Sequence, residues 1–127
     1  MKILTTIIIA LLLSSCALFS PPKFDSNQYS LLTSIKVAAQ NVECSEARLV
    51  GLQFARLDIT TDELVAYSEY LPNNKEIYDI AVILDEDINQ VLKRLHGEGL
   101  SSTFCKAKMD LFVKKADRAM KAMAATQ

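Results

Sequence analysis

Turn-forming residues are scarce in this chain, and tryptophan is absent. The 127 residues include Gly 3, Pro 3, His 1 and Trp 0. So few glycines and prolines argue against a turn-rich β-sandwich and favour helices. One histidine and three cysteines leave few ligands for a transition metal, so we expect no metal and no cofactor. A net charge of −1 gives no reason to expect nucleic-acid binding through phosphate neutralisation.

The apolar residues follow a helical period. No segment shows convincing period-two alternation, and the spacing predicts an all-α, small antiparallel bundle of four to five helices. The first helix begins at Ser26 or Asn27 and ends near Val42, and a second segment continues to about Leu57. A capping box, Thr60-x-x-Glu63, predicts a short third helix that Pro72 ends. Asn73 or Asn74 caps the next helix, which stops at Gly97, and Ser101 or Ser102 starts the last.

The predicted inner faces follow from the same spacing. The first helix offers Leu31, Leu32, Ile35, Ala38, Ala39 and Val42, the second segment Leu49, Leu52, Phe54 and Ala55, and the last helix Cys105, Met109, Phe112, Ala116, Met120 and Met123. We expect the methionine stripe to lie in the core, with an adaptable partner groove as the alternative.

The N-terminus has the layout of a secretory signal. Lys2 precedes an apolar core of about 11 residues that small residues end. A retained membrane helix is the alternative, since the apolar stretch extends over about 17 residues, at the lower edge of what spans a bilayer.

The segment Leu13-Ser14-Ser15-Cys16 resembles the bacterial lipobox. The resemblance implies a bacterial or phage-encoded lipoprotein, in which residues 1–15 are cleaved and Cys16 carries diacylglycerol and, on its amino group, a further acyl chain such as palmitate. Two or three chains hold a protein stably on a membrane, whereas one holds it marginally. Ala17 stands where an aspartate would retain the protein at the inner membrane, so we expect the periplasmic face of the outer membrane, with inner-membrane retention still open.

Three regions follow from this resemblance and from the helical pattern. Residues 1–15 are the signal peptide, residues 16–25 are the lipidated cysteine with a tether that Pro21-Pro22 stiffens, and residues 26–127 are the helical domain.

Cys44 and Cys105 remain once Cys16 is lipidated. An even pair in an oxidising compartment predicts an internal disulfide, and their spacing excludes a CxxC redox motif. Two buried thiols or an intermolecular bond are the alternatives. The internal bond would contribute roughly 4 kcal/mol in the chain-entropy model.

We identify no catalytic residue. His96 sits in the last turn before Gly97, where it interacts with the negative helix end. Ser101 and Ser102 lack a nucleophile-elbow pattern. Asp85-Glu86-Asp87 cannot converge on one ion, because consecutive helical residues point about 100° apart. We therefore expect a protein that is not an enzyme.

Charge is distributed unevenly. Residues 58–90 contain nine acidic residues against Lys75, and residues 91–127 contain eight basic residues against three acidic ones. We expect two antiparallel helices to neutralise each other partly, with a polarised surface that steers a partner as the alternative.

The sequence favours a non-catalytic envelope lipoprotein that binds a protein partner. In outline the mature chain is also similar to phage outer-membrane spanin subunits, which act in host lysis, and to secretin pilotins. The stretches that carry this similarity are Tyr70-Leu71-Pro72-Asn73-Asn74 and Gly99-Leu100-Ser101-x-x-Phe104-Cys105-x-x-Lys108. A carrier of a small apolar ligand, held between helices, is the remaining alternative.

Overall fold

The computed structural model describes residues 23–127, and within them it contains four helices and no strand. The helices are α1 (Ser26–Gln40), α2 (Ala47–Glu69), α3 (Lys75–His96) and α4 (Ser102–Ala124). The predicted all-α fold is confirmed. The predictions for the signal peptide, for Cys16 and for the first part of the tether lie outside the described residues.

The first helix begins at Ser26, one of the two predicted positions, but neither predicted residue is its cap. Asp25, and not Ser26 or Asn27, is the N-cap, because its Oδ1 accepts a hydrogen bond from the Gln28 backbone N–H at 2.8 Å. A carboxylate at this position satisfies an otherwise unpaired donor and also favours the positive helix end.

The predicted break at Thr60 is wrong, because α2 is one continuous helix. The Thr60 hydroxyl donates to the Arg56 carbonyl at 2.9 Å and therefore does not cap a new helix. Thr61 is buried, and its hydroxyl donates to the Asp58 carbonyl at 2.9 Å. Serine and threonine satisfy themselves in this way inside helices. Core residues of α2 lie both before and after the two threonines. Their packing stabilises one continuous helix across this position.

The two remaining turns follow the prediction more closely. Asn73 adopts a positive φ of 55° after Pro72, and Gly99 has φ 84° in the turn between α3 and α4. Ser101 caps α4 through a hydrogen bond from the Phe104 N–H at 3.2 Å. Asn74 precedes α3 but makes no side-chain cap, and its amide nitrogen donates to the Ser68 carbonyl at 3.1 Å.

The helices form a closed ring in which each packs against two neighbours: α1 contacts α2 and α4, and α3 contacts α2 and α4. Contacts at two levels show that every neighbouring pair is antiparallel. They are Gln28 with Ser68 and Asn41 with Gln53, Lys36 with Asp117 and Cys44 with Cys105, Asp62 with Asp85 and Gly51 with Leu95, and Asp87 with Lys115 and Arg94 with Phe104. The core contains Leu32, Ile35, Ala39, Val50, Phe54, Leu57, Leu64, Ile77, Ala81, Leu84, Ile88, Val91, Cys105, Met109, Phe112, Ala116, Ala119 and Met123.

The predicted disulfide is present. Cys44 and Cys105 are bonded, with their Cα atoms 5.7 Å apart. The bond ties the loop after α1 to the first turn of α4, at the end of the bundle opposite to the start of α1.

Candidate functional site

The second helix has two apolar faces, whereas a surface helix normally has one. One face, with Val50, Phe54, Leu57 and Leu64, lies in the bundle core. The other points away from the core and contains residues spaced alternately by three and four: Leu49, Leu52, Arg56, Ile59, Glu63, Ala66 and Tyr70. We call these seven residues the outer stripe.

The outer stripe is largely open to solvent. Leu52 is 72% exposed, Ile59 68% and Tyr70, which follows the last helical residue, 84%. The prediction that Leu49, Leu52 and Ala55 belong to the inner face is therefore wrong, since all three are exposed. Scattered exposed apolar residues are ordinary, but here Leu49, Leu52, Ile59, Ala66 and Tyr70 recur along one helix face, with Arg56 and Glu63 between them. An apolar face rimmed by charged residues is typical of a surface for protein–protein contact.

Charge on α2 divides along the helix. Both of its arginines, Arg48 and Arg56, lie in the N-terminal half, and the exposed carboxylates Asp62, Glu63 and Glu69 lie in the C-terminal half. Within residues 23–127 none of these five side chains is in an ion pair. The exposed surface of α2 is thus positive towards its N-terminal end and negative towards its C-terminal end, and Arg56 and Glu63 repeat this order within the outer stripe.

An open groove of about 660 Å³ runs between α1 and α2, beside the outer stripe. Val37 on α1 and Arg56 and Glu63 on α2 line it. At one end Gln53 donates its amide to the Asn41 carbonyl and accepts a hydrogen bond from the Glu43 N–H. This bridge fixes the loop after α1 against α2 and gives the groove a defined wall.

A buried polar cluster lies where α1 begins and α2 ends. Gln28 is fully buried, and its Nε2 donates to the Ser68 hydroxyl at 2.6 Å. Asn74, 5% exposed, donates to the Ser68 carbonyl. The Gln28 Oε1 and Asn74 Oδ1 atoms have no partner in the described part of the chain. Buried acceptors without partners cost free energy, so this cluster orients the helices without maximising stability.

Three carboxyl groups meet between α2 and α3. Burial raises the pKa of Asp85 above its usual value, and the neighbouring carboxyls of Asp62 and Asp58 add to the rise. Burial and the charge of Asp62 likewise raise the pKa of Asp58. The acidic residues of α2 and α3 therefore face one another in part, which the sequence did not lead us to expect.

One contact matches the expected neutralisation of the acidic residues 58–90 by the basic residues of 91–127. Asp87 on α3 pairs with Lys115 on α4. On the other side of α4, Asp117 lies between Lys121 and Lys36 of α1, and hydrogen bonds from these two lysines lower its pKa to about 2. Asp85 and Asp87 thus point to different helices, as their spacing requires.

The remaining candidates occupy structural positions. His96 is exposed at the C-terminal end of α3, as predicted. Met109, Met123 and Phe112 are buried and Met120 half-buried, which confirms the core interpretation of the stripe. Among the described residues, no group of three or more His, Cys, Asp and Glu side chains is placed to hold a metal ion. Over the same residues, no helix combines the length and the apolar character needed to cross a membrane.

The outer stripe was not predicted from the sequence, because the capping-box pattern at Thr60 divides α2 there. The alternating three-and-four spacing runs from position 49 to position 70, and it is visible only when one helix spans both sides of the threonine. A helix with two apolar stripes has no single amphipathic face. The absence of a single face in this part of the sequence was the feature that could have indicated a second, outward-facing stripe.

Comparison with protein-family models, with curated proteins and with solved structures finds no match.

Proposed function

We propose that this protein is a lipoprotein at the periplasmic face of the outer membrane, which binds a protein partner in the cell envelope without catalysing a reaction. The lipobox resemblance at Leu13–Cys16 supports the location. The outer stripe supports the binding role and is the observation that carries it. A row of exposed apolar side chains is retained on a folded surface when a partner covers it.

The groove beside the stripe supports a protein partner over a small apolar ligand. Pockets for small ligands enclose most of the ligand surface. The α1–α2 groove is open, and the apolar residues beside it continue along the whole length of α2. A phage outer-membrane spanin subunit in host lysis and a secretin pilotin are narrower forms of the same proposal.

The anchor is tested by metabolic labelling with palmitate. Wild-type protein should incorporate label and accumulate as an unprocessed form in the presence of globomycin. Cys16→Ala should abolish labelling, whereas the matched variant Ser15→Ala, which keeps a small residue before the cysteine, should retain it. Label that persists in Cys16→Ala would refute lipidation at this residue.

The binding role is tested by a photo-reactive amino acid placed at Leu52 or Ile59 of the full chain in cells. Irradiation should produce a protein adduct from both positions. The matched position is Leu111, which is 52% exposed on α4 outside the stripe and should give none. Adducts from all three positions in equal yield, or from none, would contradict binding through the outer stripe.

A further inference from the structure

We infer that the protein covering the outer stripe is a second copy of this chain, packed through α2 in an antiparallel, two-fold symmetric pair. The inference rests on the proposed function in that it names the partner of the same face. Its grounds are the spacing, the charges and the side-chain sizes along α2.

The spacing of the stripe is that of a helix that packs against another helix. Residues alternating by three and four form a seam along a nearly straight helix, and such seams interlock at axial distances of about 8–10 Å. The 23 residues of α2 span about 34 Å. A partner helix of the same length covers the stripe completely.

The charges make the stripe complementary to itself in one direction only. With Ile59 at the two-fold axis, Arg56 of one copy faces Glu63 of the other, and Arg48 faces Glu69. The symmetry operation repeats every one of these pairs. In a parallel pair each arginine would face the same arginine of the other copy, and each carboxylate would face the same carboxylate. Both kinds of contact are repulsive.

Side-chain size agrees with the same register. Leu52 lies seven residues before Ile59, and Ala66 lies seven residues after it. In the antiparallel pair, the large Leu52 side chain of each copy therefore meets the small Ala66 side chain of the other. Packing of large against small residues lets two helices approach closely without voids. At the ends of the seam, Leu49 meets Tyr70.

The lipid anchors are compatible with this pair. Antiparallel α2 helices place the two α1 N-termini at opposite ends of the dimer. The ten residues from Cys16 to Asp25 reach at most about 36 Å. Both copies can therefore be anchored in one membrane when the helix axes lie along its surface.

Cysteine cross-linking of the full-length chain, purified from membranes in detergent, tests the register. Ile59→Cys lies on the axis and should form a disulfide-linked dimer on mild oxidation. Leu52→Cys alone should not, because its own copy lies about 21 Å away along the helix, beyond the reach of a disulfide. Ala66→Cys alone should not either, but a mixture of Leu52→Cys and Ala66→Cys chains should link. Leu111→Cys is the control for random collision.

Each other result overturns the inference. Dimers from all three stripe positions singly would show a parallel pair, and dimers no more abundant than with Leu111→Cys would show no specific pair. The unsubstituted chain gives an independent answer, since its protein mass in detergent should be that of two copies. In a further outcome, the photo-adduct formed at Leu52 has a mass other than that of two copies. That result would contradict pairing with a second copy but would still support binding of a different protein. Absence of any adduct would remove the binding role itself.

Discussion

At the scale of single residues, a buried polar pair fixes the register of α1 against α2. Gln28 has no exposed surface and bonds the Ser68 hydroxyl across the α1–α2 interface. Any sliding of α1 along α2 would separate these two groups and leave both without partners, at a cost of about 1–3 kcal/mol each. Glutamine was not among the residues assigned to the core from the sequence, because a polar residue on a helix is by default placed outside.

Ser68→Ala should lower the free energy of unfolding by about 1–3 kcal/mol, because the buried Gln28 amide loses its acceptor. The double variant Gln28→Leu, Ser68→Ala removes both polar partners and should recover most of that loss. Urea unfolding of the four proteins of this cycle measures both effects. A double variant less stable than Ser68→Ala would show that the pair is not the stabilising unit.

Asp85→Asn should make the protein more stable at pH 7 than the wild type. The pKa of Asp85 is raised in the folded state, so its charged form is disfavoured there, and stability falls as pH rises through that pKa. The advantage of the variant should shrink as pH is lowered and vanish below the ordinary value of 3.8, where the carboxyl is protonated in both states. Urea unfolding across pH 3–8 would measure it.

Asp117→Asn is the matched control for this pH dependence. Its folded pKa of about 2 is below the ordinary value, so the charged form stabilises the fold above pH 3.8 and that contribution is lost as pH falls towards 2. The variant should therefore be less stable than the wild type at pH 7. If both variants shifted stability in the same direction at pH 7, the assignment of the two environments would be wrong.

At the scale of elements, the local sequence was sufficient to predict where three of the helices lie, but it was not sufficient to predict α2 as one helix. In α3 one apolar stripe and a glycine after the last turn determine the helix and its inner face. In α2 a capping-box pattern lies inside a helix, and the apolar residues form two stripes, so local rules indicate a break and the wrong buried face for Leu52. Only the neighbouring helices, which bury Phe54 and Leu64 on the same side, select the continuous helix.

Thr60→Ala should change the free energy of unfolding by less than about 0.5 kcal/mol, because Thr60 is inside a helix and alanine favours helix. Ser101→Ala removes a hydrogen bond that caps α4 and should cost about 1 kcal/mol. Thermal or urea unfolding of the two variants compares them directly. A cost for Thr60→Ala as large as for Ser101→Ala would indicate that α2 begins anew at this threonine.

At the scale of the whole molecule, the fold is a ring of four antiparallel helices closed by one covalent bond. The composition, the helical period and the even pair of cysteines predicted the antiparallel bundle and its disulfide from the sequence, but not the order in which the helices pack. Which of the two apolar stripes of α2 faces solvent could not be predicted, because whether Leu52 and Ile59 lie inside or outside depends on where the other three helices pack.

The double variant Cys44→Ala, Cys105→Ala should lower the free energy of unfolding by about 4 kcal/mol, since the bond closes a loop between residues 61 apart. Reduction of the wild type with a thiol should have an effect of similar size. Urea unfolding with and without reductant measures both. A loss below about 1 kcal/mol would show that the helices alone hold the ring closed.

The pairing of α2 with a second copy is tested most directly by the protein mass of the full-length chain in detergent, measured by sedimentation equilibrium. The wild type should be a dimer, and Arg56→Glu should weaken the dimer about tenfold, because its two symmetric pairs become repulsive. Adding Glu63→Arg should restore the dimer by exchanging the charges. A wild-type monomer, or a double variant no better than Arg56→Glu, would contradict the account.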